Sequence, residues 1–387
     1  MRPSKRLERI PPYLFAELER KIAARRAAGV DVISLGIGDP DRPTYEPIVE
    51  AAQRAVADPS THQYPSNRGR LEFRVAVADF YARRFGVDLD PETEVIPAIG
   101  AKESIFNLNL AFLDPGDVAL AADPGYPVYT AGPVLVGAEP ALMPLRPEHG
   151  FVPDLAGIAA EDRARARLLF VNYPNNPTGA VVPDGFFDEL VAFASANDIL
   201  VVHDNAYSEI TYDGYVAPSF LATPGAREVG IEVFSLSKGY NMTGWRCAAV
   251  VGNAGAIETY WRLKTNIDSG LFEAVQLSAV TALSPELDPY VAEMNRIYAR
   301  RRDLICEALA GIGVRVTPPR GTIYVWAPVP EGFASAADYA EHVLDRAAVV
   351  VSPGGAYGPN GEGFFRISLT TPDDRLLEAV ERLGALA

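Results

Sequence analysis

"IEVFSLSKGYNMTGWRC", residues 231–247, decides how the rest of the chain is read. A short run rich in Ile, Val and Phe ends in Ser235 and Ser237, and Lys238 follows at once, before Gly239. Arg246 comes eight positions later. In an open α/β sheet, ligands bind beyond the carboxyl ends of the strands. A lysine at such an end is either a surface charge or an amine held for chemistry, and the other strand ends decide between them.

Working outward, five more runs resemble the first: "EVIPAI" (94–99), "VALAA" (118–122), "RLLFVN" (167–172), "DILVVHD" (198–204) and "AAVVG" (248–252). They are short and continuously apolar, as strands covered on both faces are, and helical patterns lie between them. Leu14, Leu18 and Ile22 recur at helical spacing in "YLFAELERKIAARRAAGV", which reads as an amphipathic helix closed by Gly29. Beyond residue 285 a long charged helix, "YVAEMNRIYARRRDLICEAL", precedes "GVRVTPPRGTIYVWAPV", "AVVVSPG" and "GFFRISLT", the pattern of a separate α+β lobe. The expected division is an arm and helix (1–39) joining the small domain, a large domain (40–284), and a small carboxyl-terminal domain (285–387).

The chain has 387 residues, more than one compact core carries, and its 48% apolar and 22% charged content is that of a soluble globular enzyme. A formal net charge of −15 argues against a general nucleic-acid binder. No run approaches 18 apolar residues and the basic amino terminus lacks an apolar h-region, so neither a membrane span nor a signal peptide is expected. Cys247 and Cys306 read as reduced thiols of a cytoplasmic protein, and the four scattered histidines suggest no metal site.

Each strand end carries a chemical group. "GAKES" (100–104) opens a helix whose free N–H groups, at Ala101 and Lys102, could hold a phosphate; an ordinary strand–helix turn is the bland reading. "DPGYPVY" puts Tyr126 where an aromatic could lie on a planar ring. Asn176 is restricted by Pro177 and could donate an amide hydrogen bond. Asp204 ends an apolar run, so its carboxylate is poorly solvated and needs a partner; Tyr207 lies three residues on. Ser235, Ser237 and Arg246 suit a dianionic phosphate. Separately weak, these groups together supply every part that pyridoxal 5′-phosphate requires, and Lys238 becomes the amine for its aldehyde.

"DPGYPVY", "NYPNNPTG", "DNAYSE", "SLSKGYNMTGWR" and "FFRISL" resemble the fold-type I, class I/II pyridoxal phosphate aminotransferases, in order along the chain from "LGIGDPD". Within them, "IPPYLFAELERK", "YPSNRG" and "KTNIDSG" are most similar to the LL-diaminopimelate aminotransferases. The resemblance implies an α/β fold with a mostly parallel seven-stranded sheet and a smaller α+β domain, and a homodimer with shared active sites. It implies that Lys238 bonds the cofactor's aldehyde, that Asp204 pairs with the ring nitrogen, and that Asn176 and Tyr207 bond the ring oxygen. Tyr126 would stack on the ring. Ala101, Lys102, Ser235, Ser237 and Arg246 would hold the phosphate, with Tyr64 reaching that of a neighbouring subunit. Arg366 would clamp the substrate α-carboxylate, and Tyr13, Gly38 and Asn266 would line the substrate pocket with Lys102, Tyr126 and Asn176.

The loop "YPSNRG" departs from plant-type members, which carry a glutamate there for the distal ammonium of diaminopimelate; here Asn67 and Arg68 could favour a distal carboxylate instead. The expected reaction moves an amino group from LL-diaminopimelate to 2-oxoglutarate. An aspartate, alanine, aromatic or N-succinyl-diaminopimelate aminotransferase and a carbon–sulfur lyase stand as alternatives. A dinucleotide-binding dehydrogenase is disfavoured because no G-x-G-x-x-G opens a strand–helix unit, and a ligand-sensing regulator because only about 30 residues precede "LGIGDPD".

Overall fold

The computed structural model describes residues 2–10 and 14–386, the side chains of 14–18 excepted. In chain order the strands are β1 (Ile33–Ser34), β2 (Val95–Ala98), β3 (Val118–Asp123), β4 (Glu139–Pro144), β5 (Ala166–Val171) and β6 (Leu200–Asn205). They continue as β7 (Gly230–Ser235), β8 (Ala248–Gly252), β9 (Tyr324–Pro328), β10 (Val349–Val350), β11 (Ser352–Pro353) and β12 (Phe364–Ser368).

Seven strands form one sheet in the order β2-β8-β7-β6-β5-β3-β4. All neighbours are parallel except β8, which runs antiparallel to both β2 and β7. The continuous apolar runs are explained by burial on both faces. Leu168, Phe170, Val202 and Val233 point to a core made with Ile105, Leu108 and Ile257. Leu169, Val201 and Phe234, one residue out of phase, point to a second core with Phe73, Phe80 and Leu190. β4 is a strand that the sequence reading did not mark; it is one edge of the sheet, opposite β2, and Leu142 on it is exposed.

The second lobe holds the antiparallel sheet β11-β12-β9, flanked by the helices Asp288–Gly311 and Asp373–Gly384. β1 pairs in parallel with β10, and Ile22 and Val32 pack with Leu344 and Val350, so the amino-terminal segment is built into this lobe. Buried Arg301 clasps Asp41 with two hydrogen bonds of 2.7 and 2.9 Å and Asp373 with a third of 2.6 Å. A buried guanidinium needs such a set of partners to offset its lost hydration. At another corner, the Gly125 N–H donates to the Tyr357 carbonyl at 2.8 Å, and the Asn360 side chain and N–H donate to Asp123.

Candidate active site

The segment 236–247 is the connection from β7 back to β8. Ser235 caps its first turn, its hydroxyl accepting from the Ser237 N–H at 3.2 Å. This turn lifts Lys238 off the strand end into a cleft of about 350 Å³ between the two lobes. Lys238 Nζ donates to the Gly38 carbonyl at 2.5 Å. Burial pushes its ammonium below the ordinary lysine range, against a smaller opposing pull from Tyr324 and Asp39.

Arg246 closes the same connection in the left-handed backbone region, at φ 55°. Its guanidinium lies against Gly100, at φ 85°, where any Cβ would overlap it. Only glycine satisfies both demands. The helix Ala101–Phe112 begins at once, so Arg246, Ser235, Ser237 and the free N–H groups of that helix face one end of the cleft.

Asp204 projects from β6, next to β7. Tyr129 donates a 2.7 Å hydrogen bond to its Oδ2, whereas buried Oδ1 has no partner among the described residues. Desolvation pushes this carboxyl up to about 6, the Tyr129 bond and His203 opposing. Its neighbours His203 and Asn205 point to the other face, where Glu232 also accepts from Tyr81, Ser219 and the Phe220 N–H. Burial alone would raise Glu232; His203, Tyr81 and Asn205 outweigh it and hold the carboxyl below its usual range. This network pins β6 against β7.

Asn176 follows β5. Its N–H donates to Asn172 Oδ1 at 2.7 Å, and its own Oδ1 accepts from Arg366 Nη1 at 2.8 Å. The amide nitrogen is therefore the end left to meet a ligand. Arg366, buried on β12, also donates to the Gly36 carbonyl at 2.8 Å, and its guanidinium lies 3.9 Å from the Tyr324 ring centroid and 4.8 Å from that of Tyr357. Tyr126 lines the cleft, with Lys102 Nζ 5.8 Å from its ring centroid. Tyr207 is buried beside Tyr324, the hydroxyls 3.3 Å apart.

The structure thus brings Gly38, Ala101, Lys102, Tyr126, Asn176, Asp204, Tyr207, Ser235, Ser237, Lys238, Arg246 and Arg366 around one cleft. Asn266 stands outside the cleft that one chain lines. It ends a helix, its amide donates back to the Arg262 carbonyl at 2.9 Å, and it is exposed outside the cleft. Tyr64 likewise stands away from the cleft, 87% exposed. Tyr13 lies outside the described residues. Two contributors were missed by the sequence reading. Tyr129 lies in the first turn of the helix Val128–Val136, just after Tyr126, and could have been found only by its closeness to that residue, whereas Tyr324 arrives from the distant second lobe. Among the described residues no cluster could hold a metal ion, and no helix is long and apolar enough to cross a membrane.

The profile of the family "Aminotransferase class I and II" matches residues 30–383. The LL-diaminopimelate aminotransferase of Desulforudis audaxviator is 56% identical over 98% of this chain and 96% of that protein. Its counterpart from Moorella thermoacetica is 52% identical over 99% and 98%. Among solved structures, substrate-bound BacF from Bacillus subtilis superposes with a TM-score of 0.96 at 37% identity, over 100% of this chain and 98% of that one. With these likenesses spanning both lobes and the cleft between them, the chain belongs to the class I and II aminotransferases, enzymes that use pyridoxal 5′-phosphate to move an amino group between an amino acid and a 2-oxo acid.

Proposed function

We propose that this chain transfers an amino group from LL-diaminopimelate to 2-oxoglutarate, with the cleft around Lys238 as the reaction site. One observation carries the site assignment: a half-buried amine, Lys238, and a buried carboxylate oxygen, Asp204 Oδ1, that has no partner among the described residues, face the same cleft. An unpaired buried carboxylate oxygen is costly. A protonated ring nitrogen is the partner that would offset that cost, so the residues suit pyridoxal phosphate. The substrate assignment draws on the relatives that carry that name over nearly their full length.

In this reading Ser235, Ser237, Arg246 and the N–H groups at Ala101 and Lys102 hold the phosphate. Tyr126 lies along the ring, and the Asn176 amide and Tyr207 hydroxyl bond the ring oxygen. When bound, the cofactor supplies an aldehyde that condenses with amines and a cationic ring that draws electrons from the substrate Cα. Asp204 keeps the ring nitrogen protonated. Lys238 Nζ would take the proton from the substrate Cα and deliver it to the carbon on the far side of the transferred nitrogen; its lowered pKa leaves more neutral amine to do so. Arg366 binds the α-carboxylate through its planar fork, held in register by Asn176 and Gly36.

Arg68 is ion-paired with Glu258, and its guanidinium lies 4.3 Å from the Trp261 ring centroid. Its charge is met within the chain, which favours diaminopimelate over a substrate with a distal carboxylate alone. The exposure of Tyr64 supports a homodimer in which it serves a neighbouring copy, and Asn266 and Tyr13 would complete the substrate pocket. The same reading places the protein in the cytoplasm and divides it into 1–39, 40–284 and 285–387. The test is absorbance spectroscopy of the cofactor-loaded protein. LL-diaminopimelate should convert the lysine-bound band to that of the aminated cofactor. No change with it, but conversion by aspartate, alanine, an aromatic amino acid or N-succinyl-diaminopimelate, would overturn the substrate assignment.

A further inference from the structure

Tyr324 opens β9 and is buried in the cleft wall. Its hydroxyl lies 3.3 Å from that of Tyr207, with the two rings edge-on at 5.8 Å. Its ring face carries the Arg366 guanidinium at 3.9 Å. Its hydroxyl also lies against Gly38, where any Cβ would overlap it, and the Gly38 carbonyl is the acceptor for Lys238 Nζ. One side chain therefore touches Tyr207, Arg366 and the residue that anchors Lys238. It is held firmly. Its N–H donates to Thr322 Oγ1 at 3.2 Å, and the Thr322 carbonyl, in a residue at φ 70°, accepts from Tyr212.

We propose that Tyr324 is a positioning residue of the amino-transfer reaction, orienting Tyr207 through its hydroxyl and Arg366 through its ring. Each phenol has one proton. If Tyr207 donates its own to the cofactor's ring oxygen, the hydrogen bond between the two tyrosines is filled by the proton of Tyr324. The Tyr207 proton is then committed to the ring. The aromatic face meanwhile keeps Arg366 flat, so that its fork meets a carboxylate in the plane of both N–H groups. Burial would raise the Tyr324 phenol, but the neighbouring cations Arg366 and Lys238 hold it below the ordinary range, and the more acidic of two phenols is the better hydrogen-bond donor. Gly38 is small for the same reason: it makes room for this hydroxyl.

The proposal rests on reading the cleft as the cofactor site, so Lys238→Ala is measured beside Tyr324→Phe and Tyr324→Leu, all loaded with pyridoxal phosphate. Phenylalanine keeps the ring and removes the hydroxyl; leucine removes both. Without the bond from Tyr324, Tyr207 supports the ring oxygen less, and the midpoint of the absorbance titration should rise by roughly 0.5 pH unit or more in Tyr324→Phe. The KM of that variant should stay within about twofold of the parent. Tyr324→Leu should show the same rise and a KM increased roughly five- to thirtyfold, as a buried guanidinium loses its aromatic face. A side chain that only fills space would alter the melting temperature and leave the midpoint in place. An unmoved midpoint in Tyr324→Phe, or equal KM values in the two variants, overturns the proposal. If Lys238→Ala loses its band while Tyr324→Phe is unmoved, the proposal alone falls. If Lys238→Ala keeps the parental band, the cofactor site falls with it.

Discussion

Replacing Asp204 with Asn separates what this residue costs from what it does. Its carboxyl is pushed from 3.8 to about 6, so holding it ionised at pH 7 in the cofactor-free chain costs about 3 kcal/mol relative to the unfolded state. Asparagine keeps an oxygen for the Tyr129 hydroxyl and carries no charge. Its amide nitrogen inherits the position without a partner, so about 1–2 kcal/mol of that cost should be recovered. The cofactor-free variant should then melt roughly 2 °C or more above the parent at pH 7. The sign follows from linkage: a raised folded pKa means the penalty is full above about 6 and gone below 3.8. The advantage of the variant should therefore shrink as pH falls from 7 through 6 towards 4. Pyridoxal phosphate should reverse the order by pairing the parental carboxylate, and amino transfer by the variant should be slower by at least about a hundredfold. Thermal melts with and without cofactor at several pH values, beside single-turnover rates, test this. Equal melting temperatures at pH 7 and pH 5 together with an undiminished rate would refute the reasoning.

Arg366→Lys should raise the KM for amino acid and oxo acid about 10- to 100-fold while the cofactor absorbance stays as in the parent, because lysine cannot make the planar fork; steady-state kinetics and spectra check both halves. Mixing Lys238→Ala with Tyr64→Ala chains, each impaired alone, should restore turnover if Tyr64 serves a neighbouring copy. Activity that never exceeds the sum of the separate variants after exchange would remove Tyr64 from that role.

Much of the large sheet could be read from the sequence because burial on both faces writes strands as unbroken apolar runs. The grouping of Asn176, Asp204 and Lys238 follows from β5, β6 and β7 lying side by side and parallel, so that their carboxyl ends coincide. β4 left no such mark, since the two prolines of "EPALMP" read as strand breakers, and only a place at the sheet edge tolerates them. The direction of β8 was also hidden: "AAVVG" is as apolar as its parallel neighbours, and only the short return through 236–247 reverses it. Tyr129 hid among core aromatics, its ring stacked 5.5 Å from that of Phe170. Asn266 shows a different limit, because spacing along one chain does not say which cleft a side chain enters.

The corner where Gly125 meets Tyr357 and Asp123 meets Asn360 has a mechanical consequence. It ties the strand end that presents Tyr126 to the loop just before β12, which carries Arg366. The halves of the molecule are stitched along this edge, and again where Thr211 bridges Gly321 and where Arg366 grips Asn176, so the two walls of the cleft are set against each other by bonds on several sides before any ligand arrives.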